Sequence, residues 1–194
     1  MAEPTPSDNQ QEVGYVHVYT GNGKGKTTAA FGLAIRALMA GKTVFVGQFV
    51  KSLAYHETRI TEALAPKFTR EQLRIEQFGN GCFLYKHEPT QTDIDMAVRG
   101  FEECRDILSM STKGGYGYDV VILDEITIAL KYKLLEVESV VRAVRNRNPR
   151  IEVVLTGRYA PNELIELGDV VTEMTEVKHY FATQGVQARD GIER

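Results

Sequence analysis

Short apolar runs alternate along the chain with longer segments in which apolar residues recur at helical spacing. The apolar runs predict six β-strands, at residues 13–19, 43–50, 73–78, 119–125, 151–156 and 169–174. The longer segments predict helices at residues 29–40, from 90 or 92 to about 111, at 136–146 and at 161–167, with mixed loop and helix at 51–66. Strands that alternate with helices form right-handed βαβ crossovers. The pattern therefore predicts an α/β fold, with a mostly parallel sheet covered by helices on both faces.

The composition is that of an ordinary globular domain. Of the 194 residues, 43% are hydrophobic and 25% are charged. No repeat or linker interrupts residues 13–194, for which we expect a single domain, and the polar residues 1–12 are expected to form a disordered tail. The net charge of −3 gives no sign of nucleic-acid binding. Because no apolar run has transmembrane length and no signal-peptide pattern is present, we expect a cytoplasmic protein without membrane contact.

A glycine-rich turn, Thr20–Thr28 (TGNGKGKTT), connects the first predicted strand to the first predicted helix. Glycines allow backbone N–H groups to point at an anion, and the N-terminus of the next helix adds unpaired donors and positive dipole. A strand, such a turn and a Gly-Lys-Thr sequence that opens a helix are the context of a phosphate-binding P-loop. Lys26 is expected to supply charge, and the Thr27 hydroxyl a ligand for Mg²⁺. The expected nucleotide-binding residues are Gly21, Asn22, Gly23, Lys24, Gly25, Lys26, Thr27 and Thr28.

The turn departs from the usual P-loop pattern in one position. The pattern G-x-x-x-x-G-K-[ST] begins with glycine, whereas Thr20 stands there in this chain. Lys24 places a second cation inside the loop. The sequence therefore predicts a variant P-loop.

Other polar residues follow the later strands, at the edge of the sheet where ligands of α/β folds bind. Asp124 and Glu125 end the apolar strand at 119–125, and one of them is expected to bind Mg²⁺ together with Thr27. Arg158 follows the next strand and either neutralises phosphate charge or forms a surface ion pair. Gln48 and Lys51 hold a similar position after the second strand, with less support.

Two aromatic residues, Phe83 and Tyr85, lie on a glycine-flanked connection. Aromatic side chains on such a loop either cover a flat ligand or form a small separate core. Two histidines, His87 and His179, have side chains that can bind a ligand or transfer protons, although a single histidine is more often structural.

Several ordered segments carry a resemblance to a known family. They are residues 21–32, 46–51, 121–126, 155–158 with 160–161, 169–174, and 177–179 followed by 185–188 and 191–192. The set resembles the ATP:corrinoid adenosyltransferases of the CobA/CobO/BtuR type, from about Gly14 to the C-terminus. P-loops alone are common, but this ordered set, and Lys178-His179 especially, is far more specific.

The resemblance implies a RecA-like P-loop fold and a homodimer. It implies transfer of the 5′-deoxyadenosyl group of ATP to Co(I) of a corrinoid, either cob(I)alamin or cob(I)yrinic acid a,c-diamide, with tripolyphosphate leaving, in adenosylcobalamin synthesis or salvage. It also implies Mg²⁺, an ATP that lies reversed in the P-loop, and an electron donor such as a reduced flavoprotein. The residues then expected to take part in catalysis are Lys26, Thr27, Glu125 and Arg158.

The aromatic loop departs from the family. The family has a Gly-Phe-Thr-Trp stretch that helps displace the lower axial ligand of cobalt, whereas this chain has Gly81-Cys-Phe-Leu-Tyr85 and no tryptophan. Phe83 and Tyr85 keep the aromatic spacing, shifted by one residue, and are the candidate corrinoid contacts. Two alternative functions stay open, a P-loop ATPase or kinase that acts on the γ-phosphate and a non-catalytic corrinoid- or nucleotide-binding paralogue.

Overall fold

Six parallel β-strands form the central sheet of the protein. A computed structural model describes residues 13–51, 56–64, 67–69, 71–80, 88–110 and 117–193. Within these residues the strands are β1 (Val16–Thr20), β2 (Val44–Phe49), β3 (Leu73–Phe78), β4 (Val120–Asp124), β5 (Glu152–Thr156) and β6 (Val170–Glu173). Their order across the sheet is β3-β2-β4-β5-β1-β6, and every neighbouring pair runs parallel.

Helices lie between the strands and after the last one. In the described part of the chain they are α1 (Lys26–Met39), α2 (Ile60–Leu64), α3 (Gln91–Ser109), α4 (Ile126–Lys131), α5 (Val137–Arg145), α6 (Asn162–Leu167) and α7 (Tyr180–Gln184). A 3₁₀ turn, His56–Arg59, precedes α2. None of these described helices has the length and apolar character needed to cross a membrane.

The sheet carries an apolar core on each face. Along β4, Val121 and Leu123 pack on one face whereas Val120 and Ile122 pack on the other, as the two-residue period of a strand requires. Helices α1 and α2 cover the face of Val120, and α3, α4, α5 and α6 cover the opposite face. The predicted α/β class, a parallel sheet with helices on both faces, is confirmed.

The predicted elements are present with adjusted ends. Strand ends differ from the prediction by at most three residues, and β3 spans the predicted residues. Helix α3 begins after Thr90, one of two predicted starts. The Thr90 hydroxyl accepts a hydrogen bond from the Asp93 N–H at 3.3 Å, and the Asp93 carboxylate accepts one from the Thr90 N–H at 2.8 Å. This reciprocal pair is a capping box, which fixes the helix start.

Two described helices were not predicted, α4 and α7. Helix α4 begins two residues after β4 and buries most of its surface, including Ile126, Thr127, Ala129 and Leu130, so it has no polar face to give a helical stripe. Helix α7 has only five residues and buries none of them. The predicted tail at residues 1–12 lies outside the described residues.

The strand order brings the predicted site residues to one edge of the sheet. Strand β5 lies between β1 and β4, so the carboxyl ends of the three strands are neighbours. The turn after β1, Thr156 at the end of β5 and Asp124 at the end of β4 therefore share this edge.

A glycine in α3 provides a test of the packing. A Cβ atom at Gly100 would lie 2.1 Å from Cγ of Phe78, whereas a Cβ at Gly32 in α1 would meet nothing within 4 Å. We expect Gly100→Ala to lower the free energy of unfolding by about 1–3 kcal/mol, because the core must shift to admit the methyl group. The matched control Gly32→Ala should raise it by about 0.5–1 kcal/mol, since alanine favours a helix. Urea unfolding without ligand measures both, and a Gly100→Ala variant as stable as wild type would contradict the described packing.

Candidate active site

The P-loop lysine lies inside its own loop. Nζ of Lys26 donates hydrogen bonds to the carbonyl oxygens of Gly21 and Gly23, both at 2.7 Å. Burial lowers the pKa of Lys26; the Glu125 carboxylate opposes this shift and the Arg158 guanidinium adds to it. The ammonium group is thus held close to the backbone of the loop.

The glycines of the loop allow a close approach of the chain after β6. A Cβ atom at Gly21 would lie 2.4 Å from the carbonyl oxygen of Met174, and one at Gly23 would lie 2.7 Å from the same oxygen. The Gly23 N–H donates to this oxygen at 2.6 Å. Side chains at these two positions would therefore push the P-loop away from Met174.

Thr20, the departure from the usual pattern, is the last residue of β1 and pairs with Glu173 of β6. Its hydroxyl accepts a hydrogen bond from the Ala160 N–H at 3.3 Å. Thr20 is extended strand, and the left-handed backbone conformation begins at Gly21 with φ +93°. Glycine is therefore not required at position 20, and the threonine hydroxyl ties the loop to the turn after β5.

Asp124 lies at the centre of the site and is fully buried. One carboxylate oxygen, Oδ1, accepts hydrogen bonds from the hydroxyls of Thr27 at 2.9 Å and Thr156 at 2.7 Å. The other, Oδ2, accepts from Nζ of Lys51 at 2.8 Å and Nε2 of Gln48 at 3.1 Å. Burial alone would raise the pKa of Asp124, but the Lys51 ammonium and these hydrogen bonds hold it below its usual value. Asp124 is therefore an anion whose acceptor positions are occupied by protein donors.

Glu125, the next residue, has a different environment. Its backbone is left-handed, with φ 58°, and its N–H donates to the Thr156 hydroxyl at 3.0 Å. Burial and the neighbouring Asp124 charge raise the pKa of Glu125, although Lys51, Lys26 and Arg158 oppose the shift. The two neighbouring carboxylates thus differ, because the pKa of Asp124 is lowered and that of Glu125 is raised.

The turn that carries Arg158 is fixed by α4. The Thr127 hydroxyl donates to the carbonyl oxygen of Arg158 at 2.6 Å. Gly157 has φ +134°, and a Cβ there would lie 2.2 Å from the Thr127 hydroxyl oxygen. Only glycine fits at position 157. The hydrogen bond from Thr127 to the Arg158 carbonyl oxygen sets the position of Arg158.

An open cavity of about 800 Å³ lies over the P-loop. Most of the predicted site residues line it: Gly23, Lys24, Gly25, Lys26, Thr27, Thr28, Glu125 and Arg158. Asp124 lies behind them, bonded to Thr27. Gly21 and Asn22 belong to the same turn and are absent from the cavity lining in the described part of the chain. Phe83 and Tyr85 lie outside the described residues.

Sequence reasoning missed several partners of these residues. Lys51 and Gln48 were given little support, yet both bond to Asp124. Thr156 was noted only as a strand end, although its hydroxyl joins Asp124 to the Glu125 backbone. His179, which the sequence left open as a ligand-binding or a structural histidine, lines the cavity together with residues 191–193 near the C-terminus. For Lys51, Gln48 and Thr156, the available signal in the sequence was a polar residue at or just after the end of a neighbouring strand.

The parallel sheet is that of an α/β protein, and the glycine-rich turn, with the lysine and threonine that open α1, has the sequence and position of a P-loop. The family model described as ATP:corrinoid adenosyltransferase BtuR/CobO/CobP matches residues 12–194, and the chain belongs to this family. The match confirms the resemblance recognised in the sequence.

Named relatives agree with the family. A corrinoid adenosyltransferase of Pseudomonas aeruginosa is 37% identical over 184 residues, which cover 95% of this chain and 85% of that protein. One from Sinorhizobium sp is 36% identical over 184 residues, covering 94% and 81%. The corrinoid adenosyltransferase CobA of Salmonella typhimurium is 34% identical over 184 residues, covering 95% and 87%.

The raised pKa of Glu125 predicts a pH-dependent stability. The folded protein binds this proton more tightly than the unfolded chain, so the stabilisation is present below the ordinary glutamate pKa and is lost as the pH rises through the raised value. We expect Glu125→Gln, which does not ionise, to be more stable to urea than wild type at pH 8, with the difference shrinking towards pH 4. The control Glu166→Gln changes an exposed glutamate of α6. A Glu125→Gln variant less stable than wild type at pH 8 would contradict the assigned shift.

Proposed function

We propose that the protein transfers the 5′-deoxyadenosyl group of ATP to Co(I) of a corrinoid and releases tripolyphosphate. The observation that carries the proposal is that the P-loop, Glu125 and Arg158 line one cavity in a chain that belongs to the ATP:corrinoid adenosyltransferases. In this reaction a bond forms between cobalt and the ribose C5′, and the bond between C5′ and the triphosphate oxygen breaks. Co(I) supplies the electron pair of the new bond, and the triphosphate leaves with the electron pair of the broken C5′–O bond.

The cavity suits a reaction in which a whole triphosphate is the leaving group. Four cationic side chains line it, Lys24, Lys26, Lys51 and Arg158, and Lys51 is also paired with Asp124. Fixed charges of this kind stabilise the negative charge that develops on a leaving group, and removing one such donor commonly costs about 3 kcal/mol of transition-state stabilisation. The nucleophile is the metal of the substrate, so the proposal needs no general base. The γ-phosphate is then not a reacting centre but one part of the group that departs.

The oxygen atoms near the P-loop fit a magnesium ion. The Thr27 hydroxyl and the carboxylates of Asp124 and Glu125 are the hard oxygen donors that Mg²⁺ prefers, and Mg²⁺ usually takes only one or two protein ligands beside phosphate and water. Groups of three or more His, Cys, Asp and Glu able to hold a metal are absent from the described residues. When bound, the ion would neutralise phosphate charge.

The environments of the two carboxylates suggest separate roles towards the ion. All four acceptor positions of Asp124 are taken, one of them by the Thr27 hydroxyl, whereas Glu125 lines the cavity. We infer that Thr27 is the direct ligand and that Asp124 orients its hydroxyl oxygen. Glu125, once deprotonated, is the carboxylate available to the ion or to its water.

The corrinoid side of the proposal rests on the family. Phe83 and Tyr85 are the candidate contacts to the corrin ring. Reduction of cobalt to Co(I) requires an electron donor, such as a reduced flavoprotein, and the active form is proposed to be a homodimer. The sequence favours no particular corrinoid, so more than one belongs in the assay.

Identification of the phosphate product tests the proposed reaction. Anaerobic incubation with ATP, Mg²⁺ and chemically reduced cobalamin should yield adenosylcobalamin and one tripolyphosphate for each ATP consumed. Absorbance spectra follow the corrinoid, and anion-exchange chromatography identifies the phosphate. Release of orthophosphate without adenosylated product would instead support an ATPase or kinase. Tight corrinoid binding without turnover, for cobalamin and cobyrinic acid a,c-diamide alike, would support a carrier.

Lys26 provides a test of the nucleotide site itself. Lys26→Ala removes a charge-assisted donor and two hydrogen bonds that hold the loop carbonyls, so MgATP should bind about 10- to 100-fold more weakly. Lys67→Ala removes an exposed lysine outside the cavity and is the charge-matched control. Isothermal titration calorimetry measures both variants. If Lys26→Ala bound MgATP with wild-type affinity, the assignment of Lys26 to the nucleotide site would be wrong.

A further inference from the structure

His179 belongs to a C-terminal segment, residues 174–193, that lies against the P-loop. The segment is fastened at both ends. Near its start, the carbonyl oxygen of Met174 accepts from the Gly23 N–H at 2.6 Å, and near its end, the carbonyl oxygen of Ile192 accepts from Nζ of Lys24 at 2.7 Å. Between these two points, His179 lines the cavity over the loop.

Internal contacts give the segment a defined shape. The Tyr180 hydroxyl donates to the Glu193 carboxylate, which also accepts from the Arg189 backbone N–H at 2.9 Å. The Arg189 guanidinium lies 4.9 Å from the centre of the Tyr180 ring, a cation–π distance. Glu193 lines the cavity, but its charge is engaged by Tyr180 and Arg189, so it is not an unpaired anion facing a phosphate.

The histidine itself is held in one orientation and one tautomer. Its ring lies 4.6 Å from the Tyr180 ring, centre to centre. Its Nδ1 accepts a hydrogen bond from the Phe181 N–H at 3.1 Å. A backbone N–H can only donate, so Nδ1 carries no proton and the neutral ring carries its proton on Nε2. Nε2–H is the donor that remains, on a side chain that lines the same cavity as Lys24 and Arg158.

We propose that His179 is a nucleotide-binding residue whose Nε2–H donates a hydrogen bond to an oxygen of the triphosphate chain. The inference rests on the proposed function, because it takes the cavity over the P-loop to be the ATP site. The ring reaches this site because the chain folds back on Gly23 and Lys24. The Nε2–H donor thereby lines the same cavity as the cationic side chains of Lys24 and Arg158. A donor of this kind adds direction, since a lysine ammonium holds phosphate without fixing its orientation.

Two matched variants distinguish ligand binding by His179 from a purely structural role, because the two roles predict opposite orders of nucleotide affinity for them. Asparagine places its side-chain oxygen where Nδ1 lies and is a good helix N-cap, so His179→Asn keeps the contact with Phe181 and loses the distal donor. Glutamine carries an amide nitrogen at the reach of Nε2, so His179→Gln keeps the distal donor and loses the cap. The two variants separate a ligand contact from a role in starting α7.

Calorimetric titration of wild type and both variants with MgATP, and separately with magnesium tripolyphosphate, tests the proposal. We expect His179→Asn to bind both about tenfold more weakly, the loss typical of one hydrogen bond to a charged group. His179→Gln should stay within about threefold of wild type. In turnover, the His179→Asn defect should appear as a lower kcat/KM for ATP, because the lost donor acts on the triphosphate that leaves.

Three results would overturn the proposal. They are wild-type affinity in His179→Asn, a larger loss in His179→Gln than in His179→Asn, and a loss for MgATP that is absent for tripolyphosphate. Failure of the proposed reaction is distinguishable, because it would leave the wild type binding tripolyphosphate but forming no adenosylated corrinoid. Thermal unfolding of both variants serves as the check that the domain remains folded.

Discussion

The buried charge of Asp124 is the constraint on which the site depends. A carboxylate removed from water is strongly unfavourable unless donors and an opposite charge surround it. Here the donors come from separate parts of the chain, namely Thr27 in α1, Gln48 and Lys51 at the end of β2, and Thr156 at the end of β5. Satisfying one anion therefore requires α1, β2, β4 and β5 to meet at one edge.

The polar network extends beyond these four elements. The side-chain oxygen of Gln48 accepts from Nε2 of Gln77 at 3.1 Å, which carries the network from β2 to β3. On the other side, Thr156 links Asp124 to the backbone of Glu125. A chain of hydrogen bonds across the carboxyl edge thus couples the position of the P-loop helix to the strands on which it rests. Such fully satisfied networks are rigid, and rigidity is what a site that stabilises charge requires.

Local sequence patterns were sufficient to predict the sheet and the glycine-rich turn and to narrow the start of α3 to two threonines, because each depends on neighbouring residues. The position of Asp124 at a strand end was also predictable. Its pairing with Lys51 was not, since the two residues are 73 positions apart and meet only through strand order. The fold-back of the C-terminal segment was missed for a related reason. It depends on backbone contacts to Gly23 and on a single lysine, and neither leaves an apolar stripe in the sequence. The roles of Phe83 and Tyr85 stay predictions.

The hydrogen bond between Lys24 and Ile192 joins residues 168 positions apart. Contacts of such sequence separation carry a large loop-closure cost in chain entropy. The P-loop emerges early in synthesis, yet one wall of its cavity is supplied by residues made long afterwards. The cavity is therefore completed only after the C-terminal residues have been made, and we expect the growing chain to lack a finished ligand site until then.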